Sequence, residues 1–217
     1  RRRHTRFRNV TGVQTCALPI SVVVHTIHGP SFYRYQNPLG NWAFRWAEQL
    51  AGEWTTQFIS VADAMTEQYQ AAGIQGKYVT IHSGMNIEPF LTAPPSTGFV
   101  VGKVARLFRL KGHEYLFAAA PRIVAAVPEV KFLLVGDGIY RERYERWAER
   151  LGLREHFIFT GLVPPEEIPG WMARMDVLVH LSLREGLPRT LPQALASGRP
   201  VVAVDVDGAR EVCRDGE

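Results

Sequence analysis

From Gly98 onward, short apolar runs rich in β-branched residues alternate with stretches in which apolar positions recur every three or four residues. Runs of the first kind suit strands buried on both faces, and stretches of the second kind suit helices laid across a sheet. Their alternation predicts βαβ units in a parallel sheet covered on both sides. Strands are predicted at Phe99–Leu107, Val130–Val135, His156–Thr160, Asp176–Leu181 and Pro200–Val204. Between them, His113–Val127 carries Leu116, Phe117, Ala120, Ile123, Val124 and Val127 on one helical face, and Tyr140–Leu151 does the same with Tyr144, Trp147, Ala148 and Leu151.

The segment Ser21–Phe90 predicts a strand at Ser21–Thr26, an aromatic-rich stretch Phe32–Trp54, a strand Gln57–Val61, a helix Ala62–Ala72 and a short strand Tyr78–His82. Trp42, Trp46, Leu50 and Trp54 recur every four residues, a helical stripe that reads as packed core in preference to a sugar-stacking surface. Leu91–Gly98, with two prolines, a glycine and small residues, has the composition of a surface linker. A domain boundary is expected there, dividing residues 21–95 from residues 96–217. No apolar run approaches the ~20 residues that a membrane-spanning helix needs.

Composition changes the picture at the amino end. Val10–Ile20 looks like the in-frame translation of a sequencing-library adapter, so residues 1–20 are expected to be a non-native leader and the chain proper to begin near Ser21. Setting Arg1, Arg2, Arg3, Arg6 and Arg8 aside lowers 25 Lys and Arg to 20, against 21 Asp and Glu. The net charge then becomes −1 in place of +4, and the sequence pI of about 9.3 misleads. The remaining chain gives no reason to expect nucleic-acid binding or attraction to an anionic membrane, since both rest on a clustered positive patch. Without Cys16 the only thiol is Cys213, which fits a reducing compartment and a cytoplasmic location, including the inner membrane face.

Three clusters carry candidate chemistry. Gly102–Gly112 runs from a strand through a basic loop into a helix, so Arg106 and Lys111 stand where a helix amino end and two cations suit a diphosphate; solvated surface cations are the competing reading. Gly136-Asp137-Gly138 ends a strand and allows close backbone approach, but position 141 is arginine and the nicotinamide-dinucleotide fingerprint fails. A tight strand-to-helix connection is the favoured explanation of that turn. The third cluster, Ser182–Pro200, is the most specific.

Taken in order, the motifs resemble the donor-binding half of a retaining, two-Rossmann-domain glycosyltransferase of family 4, or group 1. The matching elements begin with Thr26-Ile27-His28-Gly29, Ile59-Ser60, Ser83-Gly84-Met85-Asn86 with Phe90, and Arg106 with Lys111-Gly112. Gly136-Asp137-Gly138, Phe159-Thr160-Gly161, Ser182 with Glu185-Gly186, Gly198-Arg199-Pro200-Val201-Val202 and Gly208 with Glu211-Val212 follow. The resemblance implies an α/β fold: a doubly wound, Rossmann-like carboxyl-terminal domain beside part of a second Rossmann-like domain.

It also implies a hexosyltransferase-type enzyme that transfers a sugar from a nucleoside-diphosphate sugar with retained anomeric configuration, without a metal or other cofactor. Arg106 and Lys111 would face the diphosphate, and Glu185 the hydroxyls of the transferred sugar. Backbone amides around Gly186, Leu187, Thr190 and Leu191, with Gly136 and Gly138, would border phosphate or sugar, and Leu162 and Val163 the base. The family places a second glutamate eight residues after the first, where this chain has Gln193; glutamine still accepts a ribose hydrogen bond but lacks the charge. His28, followed by Gly29 at a strand end, would approach the donor sugar; from the residues alone a buried, hydrogen-bonded histidine is equally compatible. The acceptor, whether saccharide, lipid or small molecule, is not specified. A complete member has two domains of comparable size, so the 217-residue chain is expected to be inactive alone. A nucleotide-sugar epimerase of the same fold and a non-catalytic nucleotide-sugar binding module are the competing readings.

Overall fold

The computed structural model describes residues 22–91, 98–214 and 216. The basic leader and most of the Leu91–Gly98 linker lie outside the described residues. Two compact units divide between His82 and Ser83, upstream of the expected linker. Phe90 accounts for this: it is buried with Leu133, Met172 and Leu191 in the core of the second unit, so the residues before the linker already belong there.

In the first unit, β1 (Val24–Ile27), β2 (Gln57–Ser60) and β3 (Tyr78–Thr80) form a parallel sheet in that order. Two helices accompany it, α1 (Pro38–Gly52) and α2 (Asp63–Ala71). Asn37 caps α1 by accepting the Leu39 N–H at 2.9 Å, and Pro38 sits at the first helical position, where its missing N–H costs nothing. The buried residues of α1 are Glu48, Ala51 and Gly52. This corrects the reading of the tryptophan stripe as core: Trp42 and Trp46 are 67% and 55% exposed, and Trp54 is exposed as well. Periodicity located a face of the helix, but the face with small residues is the one that packs. A Cβ on Gly52 would already lie 3.2 Å from Ile74 Cγ2.

The second unit is built on a five-stranded, wholly parallel sheet of order β6-β5-β4-β7-β8. Its strands are β4 (Val100–Val104), β5 (Lys131–Val135), β6 (Phe157–Gly161), β7 (Val177–His180) and β8 (Val201–Ala203). Among the described residues, five α-helices join or follow them: α3 (His113–Ala126), α4 (Arg141–Arg150), α5 (Ile168–Met172), α6 (Thr190–Ala196) and α7 (Ala209–Val212). Alternation along β5 feeds both faces. Phe132 and Leu134 meet Leu116, Phe117, Tyr144 and Ala148, whereas Leu133 and Val135 meet Met172, Met175, Leu191 and Ala194. Phe117 stacks on Phe157 at a centroid distance of 4.5 Å, and Phe132 stacks on Phe157 at 4.7 Å. Full burial of such a ring contributes roughly 2–3 kcal/mol. The doubly wound α/β class expected from the sequence is the observed one, and the ladders match the predicted strands to within a few residues.

Candidate functional site

The strand order itself locates a crevice. From the central strand β4 the chain moves outward through β5 and β6, then crosses back to β7 and β8 on the other side. The loops leaving the carboxyl ends of β4 and β7 therefore depart in opposite directions, the arrangement that opens a ligand crevice in doubly wound sheets. The β4 loop carries Arg106 and Lys111; the β7 loop carries Glu185.

Backbone contacts bind these two loops together. The Leu183 N–H donates to the Leu110 carbonyl at 2.9 Å. Gly112, in the left-handed region at φ 64°, lies so close to the β7 end that a Cβ would fall 1.9 Å from the Leu181 carbonyl oxygen. The approach delivers Lys111 to Glu185: Nζ donates a hydrogen bond to Oε1, with both side chains four-fifths or more removed from solvent. On its other side the Glu185 backbone N–H donates to Asp207 Oδ2 at 2.6 Å, and the Gly208 N–H donates to the Gly186 carbonyl at 3.1 Å. Asp207 holds φ 50°, a strained conformation for a non-glycine residue.

Charge at this edge is unusually concentrated for a buried location. Burial raises the Glu185 carboxyl, but the Lys111 charge and hydrogen bond outweigh it and hold the group below the ordinary glutamate range. His180 Nε2 lies 3.7 Å from Glu185 Oε1, and its Nδ1 lies 3.4 Å from Thr190 Oγ1. Burial lowers His180 to about 4 despite the glutamate, with Lys103 and Lys111 pushing the same way. Lys103, on β4, is 1% exposed. Burial first, and then repulsion from Lys111, bring its ammonium down to about 7. His113 at the start of α3 is buried against Tyr144, with centroids 5.2 Å apart, and is lowered to about 3 by burial and by the same two lysines.

Of the residues expected from the sequence, Lys111 and Glu185 are brought into contact. Arg106 is exposed and makes no ion pair among the described residues; its guanidinium lies over the Phe108 ring at 4.8 Å. Gly136 and Gly138 strap the neighbouring loop to the Arg106 segment. A Cβ at Gly136 would come within 2.3 Å of the Ala105 carbonyl oxygen, and one at Gly138 within 2.5 Å of the Leu107 carbonyl oxygen. Leu162 is largely exposed after β6, whereas Val163 packs against the core. Gly186, Leu187 and Thr190 follow Glu185 toward α6. Leu191 is fully buried and its N–H is engaged by the Pro188 carbonyl at 3.4 Å, so that amide is turned back to the loop ahead of α6. Gln193 is half-buried on α6, its carbonyl accepting from the Ser197 N–H and hydroxyl at 3.1 and 3.0 Å. His28 is exposed and Gly29 half-buried, just past β1 in the first unit.

Sequence reasoning passed over Lys103, His113, His180 and Asp207. A lysine between Gly102 and Val104 in an otherwise apolar run was the available signal, since lysine is almost never fully buried unless something compensates it.

Comparisons with known proteins fit this geometry. A parallel α/β sheet with its charged residues at the carboxyl edge defines a Rossmann-like class, and solved structures of the two-Rossmann-domain type share it. The Anabaena protein HepE, solved in complex with UDP and glucose, superposes with a TM-score of 0.77 at 26% identity, over 90% of this chain and 56% of that one. Residues 86–217 match the family model described as "Glycosyl transferases group 1", and the chain belongs to that family. The 2-deoxystreptamine glucosyltransferase of Streptomyces kanamyceticus is 30% identical over 210 residues, covering 88% of this chain and 54% of the relative. The GDP-mannose-dependent alpha-(1-6)-phosphatidylinositol monomannoside mannosyltransferase of Mycolicibacterium smegmatis is 37% identical over 125 residues, covering 54% of this chain and 33% of the relative. The chain thus spans about half the length of the relatives it matches over most of its own length. No described helix is long and apolar enough to cross a membrane.

Proposed function

We propose that the second unit, residues 83–217, forms the donor-binding part of an enzyme that transfers a sugar from a nucleoside-diphosphate sugar to an acceptor, with retained anomeric configuration and without a metal. The observation that carries this reading is the Lys111–Glu185 pair at the point where the strand order reverses. As the bond from the anomeric carbon to the diphosphate breaks, the departing oxygens gain negative charge and the sugar ring becomes cationic. A lysine fixed in a site removed from solvent stabilises the first charge more than it would in water. An ionised Glu185 accepts hydrogen bonds from sugar hydroxyls. Arg106 adds a second cation at the mouth, Gly136, Gly138, Gly186, Leu187 and Thr190 supply close backbone, Leu162 and Val163 border the base, and Gln193 accepts from the ribose. The first unit, which ends at His82, belongs to the acceptor-side domain, and the roles of His28 and Gly29 rest on the family resemblance alone. The acceptor is a saccharide, lipid or small molecule.

Calorimetric titration of the chain with UDP-, GDP- and ADP-glucose tests the donor reading. Binding of at least one, weakened tenfold or more by Lys111→Met in a folded sample, supports it. Absence of binding for all three on a demonstrably folded sample overturns it.

A further inference from the structure

Lys103 is the residue the donor reading leaves unexplained. It sits on β4, the central strand, directly ahead of the loop that carries Arg106 and Lys111, and is paired in register with Leu134 of β5. Its side chain is buried, yet no ion pair or hydrogen bond holds it among the described residues. A lysine so enclosed at a sheet centre is costly, and leucine or methionine would fill the same space without a charge to desolvate. Around it stand five ionisable groups: Lys111 on the β4 loop, His113 and Glu114 on α3, His180 on β7 and Glu185 beyond it. The Tyr144 hydroxyl donates to Glu114 Oε1 at 2.9 Å, and the Lys111 ammonium is committed to Glu185. Neither carboxylate is thus free to serve as a dedicated partner for Lys103.

We infer that Lys103 is a positioning residue of the donor site: a buried amine that takes a proton from solvent as an anionic diphosphate settles against Lys111, adding a second positive charge behind it. The inference rests on the donor reading of the same crevice. In the absence of the diphosphate, burial and the Lys111 charge leave Lys103 mostly as the neutral amine above about pH 7. A bound diphosphate offsets the Lys111 charge and favours the ammonium form. His113 and His180, held at about 3 and about 4, stay neutral under these conditions and do not contribute the proton uptake. The step is a simple protonation: the Nζ lone pair accepts the proton, and no bond to the donor forms or breaks.

The test is calorimetric titration of the chain with UDP, and with GDP and ADP in parallel, at about pH 8 in buffers of different ionisation enthalpy. At this pH the terminal phosphate of the free nucleotide is already ionised. Binding accompanied by uptake of roughly half a proton or more is expected, and Lys103→Met should bind with uptake abolished. Binding without uptake in the unaltered chain, or undiminished uptake in Lys103→Met, overturns the inference while leaving the donor reading intact. If none of the three nucleotides binds a folded sample, the donor reading falls and takes this inference with it. Should Lys103→Met fail to fold, the pH dependence of affinity in the unaltered chain decides. Affinity falling toward the linkage limit of about tenfold per pH unit between roughly pH 7 and 8.5 supports proton uptake, and a flat profile overturns it.

Discussion

The Lys111 ammonium donates a hydrogen bond to Glu185 across 74 residues of sequence, and it does so where the two central loops of the sheet part company. Neither residue reaches the other through its own element. The Leu183-to-Leu110 backbone bond and the close approach of Gly112 to Leu181 set the separation of the loops, and the ion pair follows from it. The crevice is therefore preformed by main-chain packing, and the pair can break without rebuilding the edge.

Removing one member of a pair this far from solvent strands the other. Lys111→Met and Glu185→Gln should each destabilise the chain by about 1–3 kcal/mol in urea unfolding monitored by circular dichroism. The double variant should lose clearly less than the sum of the two, because it leaves no uncompensated charge. Strict additivity would mean that the two groups do not interact in solution.

Gly112 and Gly198 give a controlled comparison of backbone strain with crowding. Both adopt left-handed φ, 64° and 67°, yet a Cβ on Gly198 meets nothing within 4 Å, whereas one on Gly112 falls 1.9 Å from the Leu181 carbonyl oxygen. Gly198→Ala should cost about 1 kcal/mol, the backbone contribution alone. Gly112→Ala should cost more than about 3 kcal/mol and also weaken nucleotide binding, since it forces the two loops apart. Equal shifts in the urea midpoint would show that the loops separate without resistance.

Lys103 predicts an uncommon pH dependence of stability. Its folded value, about 7, lies below the ordinary lysine value of 10.5, so between these limits the unfolded chain binds more protons than the folded one. Stability from this group therefore rises as pH increases from about 7 toward 10.5, and the full cost of the buried ammonium is present below about 7. Lys103→Met should stabilise the chain by about 1–3 kcal/mol near neutral pH, with the gain shrinking as pH approaches 10. Urea unfolding of both proteins at several pH values checks this; a pH-independent difference would mean that Lys103 keeps its ordinary value and stays charged in the folded chain up to about pH 10.

The sheet of the second unit was legible because its strands are buried on both faces. Phe132–Val135 and Val177–His180 read as uninterrupted apolar runs for the same reason that both sides of the sheet carry a core. The Lys111–Glu185 relationship was legible only through ordered motifs resembling a known family, since nothing local links positions so far apart. Lys103 and His180 went unread as site members because a single polar residue in or ending a strand ordinarily faces water, and only the tertiary structure shows that each is enclosed. The assignment of Leu191 to backbone recognition did not anticipate the bond that engages its amide with Pro188.

The tryptophan stripe of α1 shows the converse, a strong periodicity assigned to the wrong side of the helix, and it yields a direct test. Trp42 and Trp46 project away from the described first unit, while Glu48, buried and accepting a hydrogen bond from the Ser31 hydroxyl at 2.8 Å, lies with Ala51 and Gly52 on the packed side. Trp42→Gln and Trp46→Gln should each change unfolding free energy by less than about 0.5 kcal/mol, as befits exposed positions. Ala51→Leu, which adds three carbons to the packed face, should cost about 1–3 kcal/mol. The reverse ranking, with the tryptophan variants unfolding the chain and Ala51→Leu tolerated, would restore the stripe to the core and require α1 to be rotated about its axis.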